Sequence, residues 1–542
     1  MRVLGIAGHH DGGAVVINDG KVETYLKEER LCGIKREGGP FKAFTELLSR
    51  YGDNIDHLAV VDPYPNFPEF AYLFDRLFPA EKNLIVAKVD YSQKHHLTHA
   101  SLAFYNSGFE ESLIFVIDRN GSLFNSCLRE AETVFQASYP ANFKTLHKNF
   151  WVLSKGSEFD ASTIEMIVRL KQANIHSFNA DSLMSIVKVY ESATTLIGEH
   201  SLENGKTMGL SSYGEDKPYK DLFLNGRPID NYFVQDFFVP KRDNPQTALL
   251  IDHLDRLTNE ITKENYQFYA DYAYQVQKQT QEQVLRFVSE WVNKTGIKKV
   301  CITGGYGLNV VSNENLIRNL PNVEFYFEPM ADDSGNCIGA AMHLYRELTN
   351  DNTINKLKTT QFHGYRTELQ QIGQNCSSED IAKFLSDGKI VAVFNGLAEA
   401  GPRALGNRSI LFDPRNPNAK DIVNEVKKRE WYRPFAGMIL ENRFEEYFVT
   451  HGLKSSENMT VSFRCKKSNE IPGVIHVDNT CRVQTVNDSL SHIYFLLREF
   501  ESITGCPVLL NTSFNLAGKP LIETQKEAID CFMSSDIDVL WF

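Results

Sequence analysis

The segment Lys94-His95-His96-Leu97-Thr98-His99-Ala100 is followed along the chain by the apolar run Leu113-Ile114-Phe115-Val116-Ile117 and then by Asp118. His95 and His99 are four residues apart, so a helix through them would place both imidazoles on one face. The apolar run predicts a buried strand that ends at Asp118. Two imidazoles and a carboxylate are donors for an open metal site. The same histidine spacing also occurs on ordinary helix surfaces, so the pattern alone leaves both interpretations open.

Length and composition indicate a globular protein. The chain has 542 residues, of which 42% are hydrophobic and 23% charged, enough for two or more domains. The net charge of −12 argues against wholesale non-specific nucleic-acid binding, although a local basic groove stays open. The nine cysteines form no C-x-x-C pair, which favours reduced thiols and a cytoplasmic location. We expect no signal peptide and no membrane association, because no apolar run approaches the length of a membrane span.

Apolar runs that alternate with helical patterns predict an α/β fold in two domains. We predict a first domain over residues 1–355, with an insertion at about 123–260, and a second over 363–542. The linker is expected at 348–362, where polar residues cluster. A long amphipathic helix is predicted at about 264–293. The predicted strands are Val3–Ala7, Ala14–Ile17, His57–Val61, Leu113–Ile117, Val300–Thr303, Phe325–Phe327, Ile390–Phe394 and 507–515.

Three glycine-rich or acidic segments in the first domain are candidates for binding. Gly8-His9-His10-Asp11-Gly12-Gly13-Ala14 follows the first strand and could turn backbone N–H groups toward phosphate, with His10 a base, an oxyanion partner or a turn residue. Gly304-Gly305-Tyr306-Gly307-Leu308-Asn309 could place donors against a nucleotide at a helix start. Asp333 precedes a small-residue helix and is either its N-cap or a further metal ligand.

Cations are concentrated in the second domain. The segment from Glu399 to Leu411 carries Arg403 and Arg408 in a glycine-punctuated loop, and Lys427-Lys428-Arg429-Glu430-Trp431-Tyr432-Arg433 adds four more. Arginine forks match phosphate oxygens in pairs, and lysine adds a point charge. We therefore predict a phosphate or nucleotide site, with the strand end at residues 507–515 holding a small polar substrate.

Together, and in this order, these segments resemble the O-carbamoyltransferase family, which carbamoylates antibiotics and nodulation factors and includes phage-type relatives that act on hydroxymethylated pyrimidines in DNA. The resemblance covers nearly the whole chain. The segments that carry it are His10-Asp11, Glu28-Glu29-Arg30, residues 95–100, Gly205-Lys206-Thr207-Met208-Gly209-Leu210, Gly304-Gly305 with Leu308-Asn309, residues 401–409, Lys427-Lys428-Arg429-Glu430, Arg433-Pro434-Phe435 and residues 510–515. Two departures are Arg119-Asn120 after Asp118, where the family usually has glycine, and Asn204 in place of an acidic residue.

The resemblance implies an actin-like (ASKHA) ATPase fold for the first domain and a YrdC-like fold for the second. It implies that carbamoyl phosphate and ATP give carbamoyl-adenylate in the second domain, from which the carbamoyl group passes to an acceptor hydroxyl in the first. His10, with Asp11, would be the catalytic pair. His95, His99, Asp118 and Asp333 would hold a divalent metal, Fe(II) by expectation and Mg(II) as the alternative. The residues assigned to nucleotide and carbamoyl phosphate are Lys206, Gly304, Gly305, Asn309, Arg403, Arg408, Lys427, Arg429, Arg433, Ser513 and Asn515.

The acceptor stays open at this point. It is either a sugar or other natural-product hydroxyl, or 5-hydroxymethylcytosine in DNA, for which Lys144, Lys148, Arg169 and Lys171 could form a basic groove. A homodimer is a further expectation. The alternatives are a threonylcarbamoyl-type transferase acting on tRNA and a non-catalytic nucleotide-binding regulator, which the full set of ligands and cations disfavours.

Overall fold

The structure, a computed structural model, describes residues 1–8, 10–61, 94–124, 128–152, 168, 170, 175, 177–182, 184–217, 221–229, 233–234, 239–240, 261–354, 362–364 and 373–542. Its elements form two compact units. The first combines Met1–Lys88, Asp332–Tyr345 and Leu357–Phe542, and the second combines Val89–Ala331 and Arg346–Lys356. The predicted domains, 1–355 and 363–542, follow from the sequence pattern and stay a prediction.

The first unit opens with a four-stranded sheet in the order β3-β2-β1-β4. Strand β1 is antiparallel to β2 and parallel to β4. Its residue Gly5 admits the close approach of a later helix, since an added Cβ would lie 2.2 Å from the carbonyl oxygen of Cys337. The elements are β1 (Arg2–Ala7), β2 (Gly13–Asn18), β3 (Lys21–Lys27), α1 (Glu28–Cys32), α2 (Phe41–Tyr51) and β4 (His57–Val61).

The second unit is built on a sheet in the order β15-β14-β5-β7-β8-β9, with β6 paired to β7. Strands β5, β14 and β15 are parallel, and β5, β7 and β8 are antiparallel neighbours. The elements are α3 (His95–Ser107), β5 (Glu111–Ile117), β6 (Leu123–Phe124), β7 (Leu128–Ser138), β8 (Asn142–Val152), β9 (Phe178–Ser182), α4 (Ile186–Leu196), α5 (Asn204–Ser211), β10 (Phe223–Leu224), β11 (Arg227–Pro228), β12 (Phe233–Val234), β13 (Val239–Pro240), α6 (Tyr266–Thr295), β14 (Lys299–Thr303), α7 (Val310–Asn319) and β15 (Glu324–Phe327). Helix α8 (Asn336–Thr349) has residues in both units.

The remaining part of the first unit contains a seven-stranded mixed sheet in the order β19-β20-β18-β21-β17-β16-β22. Two of its helices begin with capping boxes, at Ser377 and Thr524, in which side chain and backbone bond reciprocally. The elements are α9 (Ser378–Ser386), β16 (Val391–Phe394), β17 (Arg408–Phe412), α10 (Ala419–Lys427), β18 (Ala436–Leu440), α11 (Phe444–Tyr447), β19 (Ser462–Arg464), β20 (Thr480–Val486), α12 (Ser491–Thr504), β21 (Val508–Ser513), α13 (Gln525–Met533) and β22 (Val539–Trp541).

The predicted mixed α/β class is confirmed, and the predicted strands agree with the observed ones to within two residues at each end. The predicted long helix is α6, shifted by two residues. The range of the predicted insertion, 123–260, begins with β6, and the strands β7 and β8 that follow extend the sheet of the second unit. None of the helices in the described ranges combines the length and the apolar character that a membrane span requires.

Candidate active site

Two histidines and an aspartate converge in the second unit. Helix α3 places His95 and His99 one turn apart, with ring centroids 4.9 Å from each other, and both side chains are buried. Asp118 directly follows β5, and its Oδ2 lies 3.5 Å from Nε2 of His95. Each of the three offers one ligand atom within 4.8 Å of the others. The predicted helix and strand thus bring these side chains together, and their mixed nitrogen and oxygen donor set fits a divalent transition metal.

The local sequence fixes this geometry. The side-chain oxygen of Ser122 accepts a hydrogen bond from the backbone N–H of His95 at 3.2 Å, which satisfies a donor at the start of α3. Gly108, in the left-handed region at φ 72°, ends the helix. The carboxylate of Asp118 accepts hydrogen bonds from the N–H of Gly305 at 3.1 Å and of Asn120 at 3.3 Å, which orient it.

The glycine segment after β14 approaches the same strand end. Gly304 has φ 81°, and a Cβ there would lie 2.5 Å from the carbonyl oxygen of Ile117, so both conformation and space require glycine. Asn309 is the N-cap of α7, because its Oδ1 accepts from the N–H of Ser312 at 3.1 Å. The glycine segment therefore leads into the start of α7, as predicted. Nucleotide binding by Gly304, Gly305 and Asn309 stays a prediction.

A group of charged side chains in the first unit, here called the N-terminal charge cluster, consists of His10, Asp11, Lys27, Glu29, Asp332 and Asp333. Nδ1 of His10 lies 3.2 Å from Asp11, and its Nε2 lies 3.4 Å from Asp333. Nζ of Lys27, buried, lies 3.5 Å from Asp11, 3.4 Å from Glu29 and 3.3 Å from Asp332. The predicted catalytic pair therefore shares its surroundings with Lys27 and Asp332, to which the sequence had given no role, and with Asp333, which was predicted as a metal ligand.

The ionisation of this cluster follows from its charges. Burial opposes the charge of Lys27, but Asp332, Glu29 and Asp11 raise its pKa well above the usual value. Burial likewise opposes ionisation of Asp11, yet Lys27 and the hydrogen bond with His10 lower the pKa of Asp11 to about 2. Asp11 is therefore an anion at neutral pH, beside the imidazole that it orients.

Four of the predicted cations of the second half lie close enough in the first unit to interact electrostatically with one another or with Arg482. We call the group Arg403, Lys427, Arg429, Arg433 and Arg482 the cation cluster. Burial and then mutual repulsion lower the pKa of Lys427, Arg429 and Arg403 well below their usual values. Burial lowers that of Arg482, on β20, to about 10. Bound phosphate oxygens would offset this repulsion, which makes the cluster a candidate anion site.

The end of β21 holds the lysine of the cation cluster in place. Nζ of Lys427 donates to the carbonyl oxygen of Ser513, and to the carbonyl oxygen and Oδ1 of Asn515 at 2.8 and 3.1 Å. The hydroxyl of Ser513 donates to Oδ1 of Asn515 at 2.6 Å. The structure thus brings together the three residues that the sequence grouped as one site, although their contact with substrate remains a prediction.

Two predicted binding residues have other partners. The fully buried guanidinium of Arg408 lies 3.7 Å above the ring of Phe394 and donates to the carbonyl oxygens of Asn395, Gly396 and Asn407. Nζ of Lys206 is paired with Glu199 at 2.6 Å and Glu203 at 2.7 Å. Arg408 thus helps to fold its own loop, and the assignment of either residue to phosphate binding stays a prediction.

The predicted basic groove for DNA is weakened. Lys148 is buried in the sheet of the second unit and is paired with Glu130, which removes it from any surface. Of the other three cations, Lys144 is exposed on the same strand, while Arg169 and Lys171 lie outside the described residues. Lys148 lies in the second half of β8, where residues 147–152 are all buried.

Several residues of the candidate site carried no sequence signal that we recognised. Arg482 lies within an ordinary alternating strand pattern, and Lys27 ends one. Asp332 stands beside the predicted ligand Asp333, and the acidic pair itself could have pointed to it. Asp333 lies in the first unit, and its predicted role as a metal ligand stays a prediction.

Comparison with known proteins places the chain in a family. A model described as the carbamoyltransferase N-terminus matches residues 76–342, and one described as the carbamoyltransferase C-terminus matches residues 382–542. Together these matches cover more than three quarters of the chain. They define a transferase of one-carbon groups on a mixed α/β fold. The chain belongs to the carbamoyltransferase family and is a carbamoyltransferase.

Individual relatives extend over most of the chain. Nodulation protein NolNO of Sinorhizobium fredii is 27% identical over 98% of this chain and 78% of its own length. Nodulation protein NolO of Bradyrhizobium diazoefficiens is 28% identical over 82% of this chain and 77% of its own. Full-length HypF, solved in a phosphate- and nucleotide-bound form, is 13% identical with a TM-score of 0.39, covering 65% of this chain and 56% of that one. This structural similarity is too weak to carry an argument, so the actin-like and YrdC-like assignments stay expectations.

Proposed function

We propose that this carbamoyltransferase converts carbamoyl phosphate and ATP into carbamoyl-adenylate and transfers the carbamoyl group to an acceptor hydroxyl. The single observation that carries the proposal is the cation cluster, in which desolvation and then the charges of neighbouring cations lower the pKa of Arg403, Lys427 and Arg429. A nucleoside triphosphate and carbamoyl phosphate supply the anionic oxygens that such a cluster attracts. Membership of the carbamoyltransferase family indicates that the transferred group is a carbamoyl group.

The first step supplies a better leaving group. Water releases phosphate from carbamoyl phosphate, and an oxygen of the resulting carbamate attacks the α-phosphorus of ATP while pyrophosphate leaves. Lys427, Arg429 and Arg433 would stabilise the negative charge that grows on the transferring phosphoryl oxygens. Lys427 is held by Ser513 and Asn515, so its ammonium is oriented before substrate binds.

In the second step the acceptor oxygen bonds to the carbamoyl carbon, and AMP leaves with the electron pair of the broken C–O bond. We propose His10 as the group that takes the acceptor proton. The Asp11 carboxylate orients its ring and stabilises the positive charge that the imidazole gains. Lys27, already paired with Asp11, would keep that carboxylate ionised.

We propose that His95, His99 and Asp118 hold a divalent metal, Fe(II) or Mg(II), with Asp333 as the predicted fourth ligand. When bound, the metal would neutralise charge on the nucleotide phosphates. The imidazole and carboxylate donors and the hydrogen bonds that orient Asp118 support this assignment.

We propose a small-molecule or sugar hydroxyl as the acceptor in preference to DNA. The buried pair of Lys148 and Glu130 removes one of the four cations on which a DNA groove would depend, and the net charge is −12. DNA bearing 5-hydroxymethylcytosine is the other acceptor class and is an arm of the test.

The test is one reaction with Fe(II), ATP and carbamoyl phosphate, repeated with a panel of sugar hydroxyls and with hydroxymethylated DNA. Pyrophosphate, AMP and carbamoylated products are read together by mass spectrometry. We expect pyrophosphate that depends on carbamoyl phosphate, and a product heavier by one carbamoyl group with one acceptor class. Pyrophosphate release that depends instead on threonine and bicarbonate would refute the assignment of carbamoyl phosphate as the donor.

Two variants separate the steps. Lys427→Met should lose carbamoyl phosphate-dependent pyrophosphate release, because it removes a cation from the cluster. His10→Asn should keep pyrophosphate release and lose about 100-fold or more of the transfer rate, in line with loss of general base catalysis. A His10→Asn variant that transfers at the normal rate would refute the role of His10.

A further inference from the structure

Arg30 is buried on α1 and contacts a distant segment of the first unit. Its guanidinium donates to the carbonyl oxygens of Glu399 and of Gly401, the latter at 2.9 Å, and lies 3.5 Å from the carboxylate of Glu523. Only 3% of the residue is exposed. The chain therefore places a cation between a helix that follows β3 and the loop that precedes β17, two segments separated by 369 residues.

The loop at its far end is folded around one carboxylate. Oε1 of Glu399 accepts hydrogen bonds from the backbone N–H groups of Leu405 at 2.7 Å, Asn407 at 3.0 Å and Arg408 at 3.2 Å. The segment 399–408 thus closes on the side chain of its first residue, while Arg30 binds its carbonyls from outside. Arg403, a member of the cation cluster, lies within this closed segment.

Helix α1, which carries Arg30, is itself held in place by its neighbours. The carboxylate of Glu28 accepts from the N–H groups of Ala43 at 2.9 Å and Lys42 at 3.1 Å, which anchors α1 to the start of α2. Glu29 is paired with Lys27 of the N-terminal charge cluster at 3.4 Å. Three consecutive residues of α1 therefore have three separate partners, and only Arg30 reaches the loop.

We infer that Arg30 is a positioning residue that sets the 399–408 loop, and with it Arg403, relative to the segment that carries Lys27. The two segments are also linked electrostatically, because Asp332, which contacts Lys27, raises the pKa of Arg403 against the larger effect of burial. A planar guanidinium can serve two carbonyls and a carboxylate at once, whereas the single ammonium of lysine cannot reproduce that fork. The kinetic part of this inference rests on the proposed function.

The experiment compares Arg30→Lys with Arg346→Lys. Arg346 is an equally buried arginine that is paired with Asp351 at 3.0 Å in the other unit, so it controls for the loss of a buried guanidinium. Hydrogen exchange of the free protein is read for the amides of Leu405, Asn407 and Arg408. The Michaelis constant for carbamoyl phosphate is read from pyrophosphate release.

In Arg30→Lys we expect exchange at these amides to accelerate about tenfold or more, because the loop opens locally. The Michaelis constant should rise by about tenfold, with kcat affected less, since Arg403 is displaced from its substrate oxygens. Arg346→Lys should leave both within about twofold. Normal loop exchange in Arg30→Lys, or faster exchange with an unchanged Michaelis constant, would overturn the inference.

Loss of activity in the unaltered protein and misfolding of Arg30→Lys each have a separate readout. If the unaltered protein releases no pyrophosphate, the proposed function fails, while loop exchange in the free protein still decides whether Arg30 positions the loop. If Arg30→Lys does not fold, Glu523→Gln removes the counter-charge of Arg30 and should accelerate the same amides about threefold. Unchanged exchange in Glu523→Gln would then count against the inference.

Discussion

The buried pair of Lys148 and Glu130 allows a quantitative prediction. Nζ of Lys148 contacts the carboxylate of Glu130 and lies 3.3 Å from Oγ1 of Thr133. The other carboxylate oxygen accepts from the N–H of Ser122 at 2.8 Å, and Ser122 in turn caps the N–H of His95. The pair thus lies directly beneath the start of the helix that carries the proposed metal ligands.

The magnitude follows from the pKa of the acid. Burial alone would raise the pKa of Glu130, but Lys148, and then His96, lower it from the usual 4.5 to about 2. A difference of this size corresponds to about 3 kcal/mol of stability above about pH 4.5, lost as the pH falls toward about 2. Removal of one partner from a buried pair costs about 3–5 kcal/mol, so the two arguments agree.

Lys148→Met should therefore lower the free energy of opening of β7 and β8 by about 3–5 kcal/mol at neutral pH. Without the lysine, burial would hold the pKa of Glu130 above its usual value. Such a carboxyl binds a proton more readily when folded, so the loss should shrink as the pH falls from about 7 to about 5.5. Hydrogen exchange of β7 and β8 amides measures this free energy without global unfolding.

A double-mutant cycle with Glu130→Gln isolates the pair. We expect the double variant to lose about 2 kcal/mol less than the sum of the single losses, because each single variant leaves one buried charged partner alone whereas the double variant leaves none. Lys144→Met removes an exposed cation from the same strand and should change stability by less than about 0.5 kcal/mol. Additive losses within about 0.5 kcal/mol, or a loss that grows on acidification, would refute the reasoning.

Two further substitutions test the metal helix and the glycine loop. His99→Ala should reduce bound Fe(II) by about tenfold or more, as measured by elemental analysis of the purified protein. His147 is a buried histidine elsewhere in the same unit, and His147→Asn should leave the metal content unchanged. Equal metal content in the two variants would contradict the ligand assignment. Gly304→Ala should lower the free energy of unfolding by more than the roughly 1–2 kcal/mol of left-handed backbone strain, because the added Cβ would also clash with Ile117. Gly296 has a similar φ and open space around it, so Gly296→Ala should show the backbone strain alone. Equal losses of thermal stability in the two variants would contradict this prediction.

Periodicity and turn residues predicted the elements of this fold well, for physical reasons. The run Leu113–Ile117 is continuously apolar because β5 is an inner strand that is covered on both faces. The same run predicted where Asp118 emerges, and the four-residue spacing predicted that His95 and His99 share a face. These are local relations, which sequence carries directly.

Relations across the chain could not be predicted in the same way. One partner of Lys27, Asp332, lies 305 residues away in the sequence, and a single sequence contains no signal for such pairing. The motif groups Arg408 with the phosphate ligands, yet a buried cation is equally satisfied by backbone carbonyls. Lys148 looked like a surface cation because the pattern of β8 does not reveal a buried acid on the adjacent strand.

The first compact unit joins residues from both ends of the chain, whereas the sheet of the second is drawn from one uninterrupted stretch, 111–327. During synthesis on the ribosome, the second unit can therefore complete its sheet while the opening strands still lack their later partners. Arg30 in particular emerges long before the carbonyls that it binds. Expression of residues 1–355 and 363–542 from separate genes would leave this contact to be made between molecules, so the two products should be recovered together or not at all.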